Sequence, residues 1–338
     1  MGTHEKQDEE HDSFSALARL RHLDHHHYRF RPERILWIYL FPILMRDFLK
    51  RLTLSATMAL MALLILELPV QWNYEHQITD AGDWHRLDSI NAEVLIIGNS
   101  RVESGFDATK IEAQTGLKTY CLVQTGWQSR LLRKKLENYL QVNRPPRFLV
   151  IQSDPLHLGT RSDWYAKPIF LKFLFLDREN LYETMKAYKG FHWYEFYIPF
   201  VRYIGLLGRY IRDALNIPYP LHRVKGYRPN NGRNRNEPIP FDELSMTQED
   251  IDYLSEFYKQ CPKANHIALF PLVTPALYPR INGVDNLSQF CIENQVEFIN
   301  LNEIIIAKPD SIFSNHTHVN SWGAAQQSNE LIHALQQH

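Results

Sequence analysis

The chain carries three cysteines in 338 residues, too few to staple a fold with disulfides. Cys121 lies in an apolar run and reads as a core residue, while Cys261 and Cys291 form the one pair that an oxidising compartment would permit to join. An excess of either charge is also lacking. Basic and acidic residues number 37 and 38, a formal net charge of -1, so the whole-molecule charge gives no reason to expect nucleic acid as a partner. No glycine-rich phosphate loop is present, which argues against nucleotide binding. His316 and His318 lie close in sequence, but no Asp or Glu completes a ligand set at a recognisable spacing, so no metal and no other cofactor is expected. The run His25-His26-His27 reads first as solvated polar tail and only second as a metal-binding tract.

Charge is missing altogether from residues 54–66, and extending that run over 52–70 adds only Glu67. About 20 apolar residues cross a bilayer core as a helix, so 52–70 is expected to be a transmembrane anchor. Arg46, Lys50 and Arg51 precede it and Glu75, Asp80 and Asp83 follow, which keeps the N-terminus cytoplasmic and exports the remainder. No small-residue cleavage site follows, favouring an uncleaved anchor over a signal peptide. Residues 1–34 are polar and aperiodic and read as a cytoplasmic tail. Residues 35–51, apolar and basic but interrupted by Pro42, read as an interfacial segment.

Beyond residue 90 apolar runs alternate with helical patterns. Strands are expected at 93–97, 118–123, 147–152, 266–272 and 296–301, where Val, Ile, Leu, Phe and Tyr crowd with little alternation. Helices are expected at 107–115, 128–142, 247–260, 284–294 and 323–335, with Asp107 and Thr247 as N-caps. That alternation predicts an α/β fold, a doubly wound and mostly parallel sheet with helices on both faces. Its ligands bind at the carboxyl ends of strands. The pattern breaks over 160–245, an aromatic-rich insertion with a helix expected over 200–215 and a basic loop of Arg223, Lys225, Arg228, Arg233 and Arg235. This insertion is either a lid, a membrane-proximal platform or a docking surface for an anionic glycan, or a helical subdomain that buries its own aromatics and carries a solvated basic loop.

The first strand runs into Gly98-Asn99-Ser100-Arg101. A serine there presents its hydroxyl at the strand's carboxyl edge, and its own N–H can face an oxyanion. A histidine near the last helix, in Asn315-His316-Thr317-His318-Val319-Asn320, is placed to activate it.

These two segments, Gly-Asn-Ser-Arg-x-x-x-Gly-Phe-Asp from Gly98 and Asn-x-x-His-x-Asn-x-x-Gly-Ala from Asn315, resemble the first and last blocks of the SGNH hydrolase superfamily. The likeness is nearest to its membrane-anchored, cell-envelope branch, which includes alginate-acetylation proteins and the D-alanine-transfer protein of teichoic acid systems. It covers roughly residues 90–160 and 262–335 and excludes the insertion. The resemblance implies Ser100 as nucleophile, His318 as general base, and Ser100 and Gly126 as oxyanion donors. At two places the sequence departs from it. Asn315 stands where the family has its acid, leaving Asp310 or a bare dyad to serve, and Gln152-Ser153-Asp154 stands where the family has its oxyanion asparagine, leaving Ser153 as the substitute. Arg101, Asp154 and Asn320, beside these positions, are candidate substrate contacts. The expected function is O-acyl transfer or ester hydrolysis on a cell-surface polysaccharide outside the cytoplasmic membrane. A polytopic membrane O-acyltransferase or polysaccharide synthesis complex is the expected partner. The alternative is an inactive SGNH-like subunit that binds or assembles within such a complex.

Overall fold

A computed structural model describes residues 32–76, 87, 89–124, 126, 129–158, 178–198, 201, 204–215, 217, 223–232, 238–239, 242–305 and 309–338. His25–27, Arg233, Arg235 and the insertion's first aromatics lie outside that set. The chain divides into two compact units, Met1–Met61 and Ala62–His338.

One long helix, α1 (Pro32–His76), takes in both the segment expected to lie in the interface and the segment expected to span. Pro42 does not interrupt it. A proline forfeits one backbone hydrogen bond, and the residues after it, rich in Leu, Met, Arg and Lys, are strong helix formers. Within α1, Phe41–Val70 is long and apolar enough to cross a membrane, an 18-residue stretch of it reaching a mean hydropathy of 1.9. Phe41, Leu44, Phe48, Leu52, Met58, Leu64 and Leu68 are all exposed.

The second unit is the α/β fold. Its elements run β1 (Val94–Gly98), α2 (Ser100–Gly105), α3 (Ala108–Thr115), β2 (Thr119–Val123), α4 (Ser129–Val142), β3 (Phe148–Gln152) and α5 (Pro155–Leu158). The insertion contributes α6 (Arg178–Lys186), α7 (Trp193–Tyr197) and α8 (Leu207–Ala214). Then follow β4 (Leu244–Ser245), α9 (Gln248–Gln260), β5 (Asn265–Phe270), β6 (Ile281–Asn282), α10 (Val284–Glu293), β7 (Glu297–Asn300), α11 (Leu301–Ile304) and α12 (Ser321–Gln336). All five expected strands form, displaced by one or two residues. α8 starts later than the expected 200 because Gly205, at φ 82°, holds a left-handed turn just before it.

The main sheet is parallel throughout, in the order β2-β1-β3-β5-β7. Its strands are buried on both faces. Val94, Ile96, Val150, Ile267 and Leu269 pack with α2, α3 and α12 on one side, while Leu95, Ile97, Leu149, Ile151 and Ala268 pack with α4, α9 and α10 on the other. Both expected caps form: Asp107 accepts the N–H groups of Thr109 and Lys110, and Thr247 and Asp250 close a capping box. Cys261 and Cys291 are free thiols in the same core cluster. Burial pushes them up to about 11 and about 12, which keeps both protonated and unreactive at neutral pH.

The chain leaves β1 for β2 on one side and reaches β3 on the other, so the strand order reverses at β1. Such a switch point opens a crevice outside the strands' carboxyl ends. Ser100 follows β1 directly, at that crevice.

Candidate functional site

Gly98 closes β1 in a space that admits no side chain. A Cβ there would meet Val102 and would lie 2.5 Å from the Gln152 side-chain oxygen. That oxygen instead accepts the Asn99 N–H at 3.0 Å. Asn99 caps α2 by accepting the Arg101 N–H at 2.9 Å, and its amide donates to Leu156 O at 3.2 Å. Ser100 is thereby fixed as the first residue of α2, where its own N–H has no partner within the helix.

His318 arrives on a tight loop closed by a bridge between Phe313 and Val319. Its Nε2 lies 2.8 Å from Ser100 Oγ, across 218 positions of sequence. Asn315 Oδ1 accepts the N–H groups of Thr317 and His318, both at 2.9 Å, and lies 3.1 Å from His318 Nδ1. Two backbone donors fix the oxygen, not the amide nitrogen, toward the ring. Nδ1 therefore carries the hydrogen and Nε2 presents its lone pair to Ser100. The Thr317 hydroxyl bridges the same pair, 3.1 Å from Asn315 Oδ1 and 2.9 Å from Nδ1. Asn315 thus orients the ring without supplying a charge.

Burial, then Arg101 and Arg228, push the His318 imidazole down to about 4, so it is neutral at pH 7. No carboxylate acts on it among the described residues. Asp310 is exposed at the start of the 3-10 turn Asp310–Ile312 and is not among the charges that shift His318.

Several expected site residues are committed elsewhere. Ser153 is not placed to hold an oxyanion: its N–H donates to Leu269 O at 2.8 Å and its hydroxyl to Ile151 O at 2.8 Å. Arg101 and Asp154 are not free for substrate either. Both are buried, paired at 2.6 Å. Arg101 further donates to Thr317 O, Pro271 O and Leu272 O at 2.9, 3.0 and 3.1 Å. One guanidinium thus ties the ends of β1, β3 and β5 to the His318 loop. Asn320 is the N-cap of α12, accepting from Trp322 and Gly323 and donating to Ser311 O. Gly126 lies just past β2, at φ 83°. β2 is the strand beside β1, with Val123 in register with Gly98. The structure therefore brings Ser100, His318 and Asn315 together, with Gly126 on the neighbouring strand end.

Glu103 escaped notice in the sequence. It is fully buried one turn after Ser100 and binds Arg223 Nε at 2.5 Å and Arg228 Nη2 at 3.2 Å. Its position three after a candidate nucleophile, opposite an arginine-rich loop, was the available signal.

Removing Arg101 would leave Asp154 charged and unpaired in the interior. Arg101→Met is expected to cost about 3–5 kcal/mol, seen as a fall in thermal midpoint of roughly 6–20 °C. A fall under about 2 °C would contradict the structural role given to this pair.

His157, also buried, is pushed down to about 3 by burial and then by Arg101, and His266 is lowered by burial. With His318, these groups are harder to protonate folded than unfolded. The unfolded chain therefore binds more protons from the ordinary histidine value of 6.5 down to about 3, and stability falls as pH drops through that window. Thermal midpoints measured from pH 7 to 4 are expected to decline steadily below about 6.5. The double variant His157→Leu/His318→Ala is expected to flatten that slope.

No protein-family model matches the sequence, and no match is found among curated proteins.

Proposed function

We propose that this protein is a membrane-anchored, serine-dependent acyl-transfer enzyme, an esterase or O-acyltransferase, working through Ser100 and His318. The observation that carries this reading is the 2.8 Å contact from Ser100 Oγ to the lone-pair nitrogen of an oriented, neutral imidazole. Oγ attacks an ester carbonyl while its proton passes to Nε2. The carbonyl oxygen becomes an oxyanion facing the Ser100 N–H and, from the neighbouring strand end, Gly126. The C–O bond to the alcohol breaks, and Nε2 returns the proton to the departing oxygen. Water or an acceptor hydroxyl then attacks the acyl-serine, giving its proton to Nε2, and Oγ leaves with that proton.

Helix α1 supports the membrane part. Arg46, Lys50 and Arg51 at one side of its uncharged stretch favour a cytoplasmic end there and an α/β unit outside the membrane. A cell-surface polysaccharide as acyl donor or acceptor, and a polytopic O-acyltransferase or polysaccharide synthesis complex as partner, rest on the sequence resemblance alone. The commitment of both Ser153 donors favours a second reading, an inactive binding or assembly subunit.

Full-length protein solubilised from membranes separates the two. A fluorophosphonate is expected to add to the peptide containing Ser100, and the adduct to disappear in His318→Ala. Intact, folded protein that stays unmodified would leave the assembly role standing. Deleting residues 41–70 is expected to move the protein into the soluble fraction. Retention in the membrane would remove the anchor.

A further inference from the structure

Arg228 is held between the two halves of the site. Its N–H donates to Glu103 O at 2.8 Å and its Nη2 to Glu103 Oε2 at 3.2 Å, which fixes backbone and side chain to the nucleophile's helix. Two residues on, Asn230 Nδ2 donates to Ser314 Oγ at 2.8 Å, and Ser314 Oγ donates to His318 O at 3.2 Å. Asn230 O accepts the Ser321 N–H at 2.9 Å. Residues 228–230 thus strap α2 to the His318 loop.

One buried carboxylate, Glu103, faces two guanidiniums. Side-chain exposure is 9% for Arg223 and 29% for Arg228, so Arg228 is the one of the two that reaches solvent. A guanidinium offers five donors in a fork. Among the described residues Arg228 spends only Nη2, leaving Nε and Nη1 for a ligand.

We propose that Arg228 forms an anion subsite beside Ser100, and that the substrate is an ester bearing a carboxylate or phosphate within reach of it. The proposal rests on the acyl-transfer reading and names its substrate class. It also answers a problem of that reading. Ester cleavage must pass through a His318 imidazolium, yet Asn315 contributes no charge and Arg101 and Arg228 both oppose the cation. An anion seated on Arg228 cancels one of these charges as the substrate binds. The substrate then supplies part of what the missing acid does not.

Binding to full-length Ser100→Ala protein tests this without turnover. para-Acetoxybenzoate is compared with its neutral methyl ester, which places the anion on the alcohol side. para-Nitrophenyl hydrogen succinate is compared with para-nitrophenyl butyrate, which places it on the acyl side. In at least one pair the anion is expected to bind about 10- to 100-fold more tightly, the contribution of a charge-assisted hydrogen bond. Adding Arg228→Gln is expected to reduce the preference below about twofold. Arg228→Lys keeps a cation opposite Glu103 and so keeps the fold. It is expected to lower the preference severalfold, because an ammonium engaged with Glu103 offers no second planar edge. Absence of a preference in the parent, or an unchanged preference in the Lys variant, overturns the proposal. If the preference appears but the Ser100 enzyme cleaves no ester, the subsite stands and the acyl-transfer reading falls.

Discussion

Asn315→Asp is expected to raise ester hydrolysis at pH 7 by about 10- to 100-fold, a gain of function from a single atom pair. In the serine-protease template, an amide in place of the acid costs about 10⁴ in rate, largely because the amide selects the wrong imidazole tautomer. Here the tautomer is already right, since the backbone N–H groups of Thr317 and His318 hold Oδ1 toward the ring. Only the missing charge remains to be restored. A carboxylate in this place would keep the same donors and would raise the His318 imidazole from about 4. The acid limb of kcat/KM should therefore move to higher pH in the variant. An unchanged rate together with an unmoved acid limb would mean that His318 is not the base.

The second large effect is a loss. His318→Ala is expected to reduce hydrolysis of an activated ester by about 10³- to 10⁴-fold. A complete triad loses about 10⁶ when its histidine goes. A site that lacks the acid's charge has less to lose, and the difference sets the smaller figure. Ser100→Ala should fall to the same floor, and the double variant should fall no further, because nucleophile and base act as one unit. Additive losses would show that the two side chains serve separate purposes, however close they lie. Wild-type kcat/KM is expected to hold nearly flat from pH 7 down to about 5, because burial, with Arg101 and Arg228 adding, holds the His318 imidazole down to about 4.

The legible parts of the site were those set by local chemistry. Gly98-Asn99-Ser100 reads as a tight turn at a strand end with the serine opening the next segment; the crowding at Gly98 and the helix Ser100–Gly105, ahead of the expected 107–115, belong to the fold. Asn315 marks, by the resemblance, the place of the family's acid, while the contacts by which its oxygen orients the ring are seen only in the fold. The misread parts were polar residues beside the motif. Arg101, Asp154 and Asn320 look available in sequence, since charged and amide side chains are usually exposed. In the fold the first two pair in the interior and the third caps α12. Ser153 likewise holds the place of an oxyanion donor, but its N–H turns to β5 and its hydroxyl to its own strand. Glu103 was passed over because a carboxylate reads as surface until its two arginines, 120 and 125 positions away, are brought to it.

By itself the sequence determined the apolar helix, the five buried strands and the helices between them, because hydrophobic periodicity and capping act within a few residues. It also placed a serine at a strand's carboxyl end. Tertiary structure alone decided that the strand order reverses at β1, that the imidazole reaches that serine, and that Arg228 is tied to Glu103, one turn after it. Those facts depend on pairings across one to two hundred residues. Loop closure and sheet register, which no local pattern records, bring such distant groups together.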